Sequence, residues 1–179
     1  MLKKAAEIEV RVEEINIVIA GDDPAIQKIE TLAREIWLEH YPSIISIEQI
    51  FYMLFKFQTV EAIKQQIEDG HMYYLILDRK AYELGYLAFQ PREEELFLSK
   101  IYIKKEFRGQ GLGKQALEFV EHVAKQNKLR KITLTVNKNN KNSIAAYLKS
   151  GFIKKEEVVS DIGGGFFMDD YVMEKKVEI

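Results

Sequence analysis

Cysteine is absent from the 179-residue chain, which excludes disulfides and thiolate metal sites and suits a reducing compartment. No apolar run approaches the roughly 18 residues of a membrane span. The N-terminal MLKKAAEIEV lacks the apolar core of a secretion signal. A cytoplasmic location with no membrane partner is therefore expected. Neither sign of charge dominates: 26 basic residues face 28 acidic ones, for a net charge of -2 at pH 7. A pI near 6.0 gives no basic field to attract nucleic acid. Internal repeats and low-complexity segments are also missing. What is present is a 47% hydrophobic content, enough for one full core in a chain of single-domain length. We expect one domain over residues 15–179. Residues 1–14 alternate at Ile8, Val10 and Val12 but suit a helix as well, and are read as an N-terminal extension.

The most informative stretch is Leu98–Lys114, LSKIYIKKEFRGQGLGK. Its first half carries the β-branched and aromatic residues of a mostly buried strand ending near Ile103. Glycine then falls at positions 109, 111 and 113, before helical apolar spacing begins at Leu112. Strand, basic glycine turn and helix follow one another. The first turn of a helix leaves backbone N–H groups unpaired at the positive end of the helix dipole, so a phosphate is its natural ligand. Lys104, Lys105, Arg108 and Lys114 add cations.

Two phosphate loops fail on these residues. The triphosphatase pattern G-x-x-x-x-G-K-[ST] meets Arg108 in place of its first glycine and Gln115 in place of its hydroxyl. The dinucleotide pattern G-x-G-x-x-G meets Lys114 at its third glycine. The remaining pattern, Arg108-x-x-Gly111-x-Gly113, resembles the pyrophosphate loop of the GNAT family of N-acetyltransferases. A plain glycine-rich connector is the alternative on these six residues alone.

Along the chain, INIVIA (15–20) reads as a strand, followed by a helix to Glu39 with Asp23 as cap before Pro24. Ser46–Lys56 and Thr59–Glu68 read as two short capped helices. Strands follow at Met72–Asp78, at Leu84–Phe89 with a bulge expected at Gly85, and at Glu95–Ile103. Next come a helix over Leu112–Asn127, strand Ile132–Val136, a helix over Asn139–Lys149, and strands Phe152–Val159 and Phe166–Lys175 around the turn DIGGG. Hairpin-linked strands around one crossover favour a mixed sheet over a doubly wound parallel one. The order is also that of the GNAT family. The expected class is α/β (α+β), a mostly antiparallel sheet of about seven strands flanked by helices.

A second match lies in NSIAAYLKSGF, residues 142–152. Asn142, Tyr147, Gly151 and Phe152 follow the family's order of asparagine, tyrosine and Gly-Phe after the fifth strand. The resemblance implies acetyl-CoA as cosubstrate, with no metal. It places acetyl-CoA along Ile101, Tyr102 and Ile103, on the loop Arg108, Gly109, Gln110, Gly111, Leu112, Gly113 and Lys114, and against Asn142 and Lys149. A backbone N–H near Ile103 would face the oxyanion. Tyr147 would be the general acid at the departing sulfur, since a phenol of pKa about 10 is protonated at neutral pH. Taken alone, Tyr147 reads first as an amphipathic packing residue, and the glycine turn at the expected distance reverses that balance.

The general base is open. A primary amine of pKa about 10.4 is only about one part in 2,500 neutral at pH 7. Several family members place a glutamate on the fourth strand, but here its interior is Leu96, Phe97, Leu98 and Ser99. Water relayed to Ser99, Glu39 and His40 are the candidates. The stretch IGGGFFMDDYVM, with QIFYMLFKFQTVEAIKQQIEDGH, resembles the PaiA-like polyamine acetyltransferase branch, which implies spermidine or spermine as acceptor. Glu39, Glu48, Asp161, Asp169 and Asp170 are available to line an acidic acceptor site, with Trp37, Tyr41 and Tyr52 as aromatic walls. Each acidic position reads otherwise as solvated surface, and each aromatic one as core. A peptide α-amine, a lysine or another small amine would use the same loop, and a CoA-binding module without turnover belongs to a different class. C-terminal edge strands leave a homodimer open.

Overall fold

The computed structural model describes residues 15–178, and the N-terminal extension expected at 1–14 lies outside them. Strand β1 (Asn16–Ile19) leads to helix α1 (Asp23–His40), a 3-10 turn at Tyr41–Ser43, and helices α2 (Ile47–Phe57) and α3 (Val60–Glu68). Strands β2 (Met72–Leu77), β3 (Glu83–Pro91) and β4 (Glu95–Ile103) follow, then a 3-10 turn at Lys105–Phe107 and helix α4 (Leu112–Gln126). Strand β5 (Lys131–Asn137), helix α5 (Lys141–Lys149) and strands β6 (Ile153–Gly163) and β7 (Phe166–Lys176) complete the described order. The seven strands form one sheet, ordered β1-β2-β3-β4-β5-β7-β6. Only β4 and β5 run parallel within it. The mixed, mostly antiparallel class expected from the sequence is the one observed.

Local chemistry sets the helix starts. The α1 cap is Asp22, not Asp23: its Oδ1 accepts from the Ala25 amide at 2.9 Å, and Pro24 takes an early position where no amide is needed. Ser46 and Thr59 cap α2 and α3 in the same way. Helix α5 starts at Lys141, later than expected, because Asn140 caps it through the Ser143 amide.

Apolar periodicity places a helical layer on each face of the sheet. Helices α1 to α3 pack Ile29, Ile36, Trp37, Ile50 and Ile63 against Tyr73, Leu75, Tyr86 and Ala88. On the other face α4 packs Phe119, Val120 and Val123 against Leu87, Phe89, Leu96 and Ile132. The β6–β7 hairpin is clasped to α2. The Tyr52 hydroxyl donates to the Ile162 carbonyl at 2.7 Å, and Gln49 donates to the Phe167 carbonyl at 2.8 Å. A Cβ at Gly163 or Gly164 would collide with the Tyr52 ring, and both have positive φ, so glycine is required at this contact.

Strand β4 carries an irregularity at Ser99. Ala88 pairs with Lys100 and Phe89 with Leu98, leaving Ser99 as the extra residue. The bulge resets the alternation. Leu96, Leu98, Ile101 and Ile103 all face the α4 layer, while Tyr102 packs into the α1 layer. The bulge expected at Gly85 falls next to it: Ile76 pairs with Gly85 and Leu77 with Glu83, so Leu84 is the extra residue. Gly85 serves another end, because a Cβ there would strike the Tyr102 backbone carbonyl.

Candidate active site

Strands β4 and β5 pair over only three positions, Glu95–Lys131, Leu96–Ile132 and Phe97–Thr133. Beyond Phe97 they diverge, and the edge of β4 from Ser99 to Ile103 pairs with β3 alone among the described residues. This free strand edge leads into the glycine loop. Gly109 and Gly111 have φ of 76° and 83°, the left-handed region that glycine enters without strain. Helix α4 begins there with no side chain capping its first amides. A Cβ at Gly109, Gly111 or Gly113 would meet nothing within 4 Å. The space above the loop is open, and free helix N-terminal amides of this kind could hold a phosphate.

The remaining loop side chains divide between core and solvent. Leu112 is buried under α4, so it anchors the loop and offers a ligand only its backbone. Lys114 and Gln110 are exposed, the former 3.7 Å from Glu118. Arg108 folds back: its Nε donates to the Ile103 carbonyl at 2.9 Å, and its guanidinium lies 2.7 Å from Glu39 on α1. Asn142 and Lys149 are exposed at the two ends of α5.

Where the strands diverge, α1 and the turn after it bring aromatic rings together. The Tyr41 and Tyr102 hydroxyls lie 2.8 Å apart, and Trp37 donates to the Tyr86 hydroxyl at 3.1 Å. Trp37 packs against both Tyr41 and Tyr102. Burial pushes the Tyr41 pKa up to about 12 and raises that of Tyr102 as well. Tyr147 stands on α5 against Phe152 with ring centroids 5.6 Å apart. Burial raises its pKa, with the Tyr41 charge adding to the effect. Its phenol stays protonated through the neutral range, so it can donate a proton.

Two of the three base candidates, Ser99 and Glu39, have other partners. Ser99 Oγ donates to the Ala88 carbonyl at 3.2 Å, tying down the bulge. Glu39 holds Arg108 and lies 3.6 Å from Lys105. Burial and the Arg108 charge lower the His40 pKa, against a weaker opposing effect of Glu39. Of the acidic positions, Glu48 is exposed and Asp161 accepts from the Gly163 amide within the hairpin turn. Asp169 pairs with Lys138 at 2.6 Å. Tyr52 is committed to the hairpin.

Asp170 is different. It is 7% exposed, pairs across from Asn137 in the β5–β7 ladder, and its Oδ1 has no hydrogen-bond partner among the described residues. Burial and the Asp169 charge push its pKa up to about 6, against a weaker opposing pull from Lys138. Two positions were missed from sequence. Lys100, next to the bulge, donates to Gln66 Oε1 at 2.8 Å and lies over the Tyr73 ring, and burial drives its pKa down to about 7. Asn140 caps α5 through the Ser143 amide. The sequence signal for the bulge was the three-residue step from Leu98 to Ile101, where a strand would step by two.

Residues 29–152 match the model of the acetyltransferase (GNAT) family. The chain belongs to the GNAT acetyltransferase family. As a GNAT acyltransferase it uses acetyl-CoA as cosubstrate. It is 27% identical over 161 residues to a spermidine N(1)-acetyltransferase of Thermoplasma acidophilum, covering 86% of this chain and 94% of the relative. Its fold matches the PaiA N-acetyltransferase of Thermoplasma acidophilum in complex with coenzyme A, with TM-score 0.75 at 23% identity over 90% of this chain and 98% of the other. It also matches the Vibrio cholerae spermidine N-acetyltransferase in complex with CoA and spermine, with TM-score 0.68 at 14% identity over 92% and 96% of the two chains. Among the described residues no helix is long and apolar enough to cross a membrane, and no group of His, Asp and Glu side chains is placed to hold a metal.

Proposed function

We propose that this GNAT enzyme transfers the acetyl group of acetyl-CoA to a primary amine of a polyamine such as spermidine, by direct attack. The observation that carries the reading is the free edge of β4 from Ser99 to Ile103, continuous with an open glycine loop at the start of α4. Pantetheine would add to that edge as an extra strand, through the Ile101, Tyr102 and Ile103 backbone. The pyrophosphate would rest on the amides from Gly109 to Lys114, with Arg108 beside it and Asn142 and Lys149 along α5. Glu39 would hold the Arg108 guanidinium in place. The acceptor class is supported by the likeness to a spermidine N(1)-acetyltransferase along 94% of that relative's length.

The chemistry then asks little of the protein beyond position and proton transfer. Holding amine and thioester together replaces a bimolecular encounter with attack inside one complex. The amine nitrogen attacks the thioester carbonyl carbon, an oxyanion develops, and the carbon–sulfur bond breaks. A β4 backbone N–H would face the oxyanion. Tyr147 would protonate the leaving sulfur, since its buried phenol keeps its proton at neutral pH. The test is Tyr147→Phe, which removes the donor and keeps the ring. Turnover should fall about 10²- to 10⁴-fold while acetyl-CoA affinity stays within a factor of about two. Equal loss of both would make Tyr147 a packing residue and remove it from the mechanism.

A further inference from the structure

The reaction needs a group that takes a proton from the acceptor, because an ammonium nitrogen has no lone pair with which to attack. Of the three candidates named from the sequence, Ser99 is engaged by the bulge and Glu39 by Arg108, while burial and the Arg108 charge lower the pKa of His40. Among the described residues Asp170 is the one buried carboxylic acid. It lies on the α1 side of the sheet, two residues along β7 from Met168, which packs into that layer. Its neighbour in the ladder is Asn137 at the end of β5, on the flank of the divergence. Thr133, on the same face of β5 and at the last β4–β5 pair, has a buried hydroxyl that is also without a partner. Two unpartnered acceptor oxygens thus mark one face of the cleft.

Among the described residues no cation forms an ion pair with Asp170, although the Lys138 charge acts on it. Lys138, the cation near it, is held at 2.7 Å by Glu157 and at 2.6 Å by Asp169. The other charge acting on it is the Asp169 carboxylate. The Asp170 charge itself raises the pKa of Tyr41, and Tyr41 in turn acts on Tyr147. A buried carboxylate with a free oxygen and no counter-ion is costly to keep unless a cation visits it.

We propose that Asp170 is the general base of this enzyme, receiving the acceptor's ammonium group and taking its proton. The inference rests on the reading of the chain as an amine acetyltransferase. In the first step the ammonium passes one proton to the Asp170 carboxylate, giving a carboxylic acid and a neutral amine. The freed lone pair forms the carbon–nitrogen bond, and the carbonyl π electrons move to oxygen. On collapse the carbon–sulfur bond breaks, the sulfur takes the Tyr147 proton, and the phenolate recovers a proton from the adduct nitrogen. Asp170 then releases its proton to water. Its raised pKa, about 6 in place of 3.8, makes it about a hundredfold stronger as a base than an ordinary aspartate.

The experiment is the pH dependence of kcat/KM between pH 5 and 9, with any amine on which the wild-type enzyme releases thiol from acetyl-CoA. The wild type should show an acidic limb with an apparent pKa near 6. Asp170→Asn should lose the limb and at least about 100-fold in kcat/KM at pH 7, with acetyl-CoA affinity unchanged within about twofold. Asp170→Glu should keep the limb, and so should His40→Gln. A wild-type profile without a limb overturns the assignment whether or not the variants fold. So does a limb that persists in Asp170→Asn, or one abolished by His40→Gln instead. Equal loss of acetyl-CoA affinity and turnover in Asp170→Asn would make the residue structural and overturn it too. Absence of thiol release by the wild type with every amine is a different failure, because it refutes amine acetylation itself and the base with it.

Discussion

Replacing Asp170 with asparagine should stabilise the protein where it disables it, and the size follows from one group. The carboxyl of Asp170 has its pKa pushed from 3.8 up to about 6 in the folded chain. Between those two values the folded state binds more protons than the unfolded state, so stability falls as pH rises through this window. The cost is small near pH 4 and complete above pH 6. A shift of about two units at 1.36 kcal/mol each amounts to about 3 kcal/mol at pH 8 and about 1 kcal/mol at pH 4.5. The residue is 7% exposed, so solvent screens little of this. Asparagine removes the charge but leaves an amide short of partners, a pH-independent cost of about 1 kcal/mol. The net expectation is a gain of about 2 kcal/mol at pH 8 that shrinks to near zero at pH 4.5. Urea unfolding of both proteins at pH 4.5, 6 and 8 measures it directly. A variant equally or less stable at pH 8, or a difference that does not change with pH, refutes the claim that an uncompensated charge is buried there.

Three further expectations concern other parts of the cleft. Lys100 has its pKa lowered to about 7 by burial, so stability should rise with pH between about 7 and 10.5. Lys100→Met should raise the melting temperature at pH 6 to 7, an advantage that fades towards pH 10, with Tyr73 still donating to Gln66 at 2.7 Å. A gain that persists undiminished at pH 10 would contradict the burial argument. Gly111→Ala places a side chain at φ 83° and should cost about 1 kcal/mol of stability by chemical denaturation, in addition to weakening acetyl-CoA binding. Gly113→Ala meets no neighbour, so the free protein should melt as the wild type does while acetyl-CoA affinity, measured by calorimetry, falls about tenfold or more. An unaffected affinity would place the pyrophosphate elsewhere.

The sequence was most legible where physics is local. The Ser46 and Thr59 caps, the span Glu95–Ile103 and the start of α4 at Leu112 are all as expected, because each depends on neighbours a few residues away. Helix starts with neighbouring cap residues misled by one residue or more, as with the cap at Asp22 rather than Asp23 and the α5 start at Lys141 rather than Asn139. Pairings that cross the fold were not legible. Glu39 and Arg108 meet because α1 ends over the glycine loop, which no local pattern announces. Asp169 and Asp170 are identical in type and adjacent in sequence, yet one is exposed and the other buried. Only their alternation on β7 and the register with β5 separate them. Likewise the two segments grouped by resemblance, one around Tyr52 and one around Gly163, are brought into contact only by the hairpin folding onto α2.

The central claim is that this GNAT enzyme acetylates polyamines, and the direct measurement is thiol release from acetyl-CoA across spermidine, spermine, simple monoamines and lysine- or alanine-ended peptides. Since the chain has no cysteine, the thiol-reactive dye reads released CoA without a background from the protein. Saturable release with spermidine or spermine, at a kcat/KM at least about tenfold above that of any monoamine or peptide, is the predicted result. Release that favours a monoamine or a peptide would contradict the polyamine assignment.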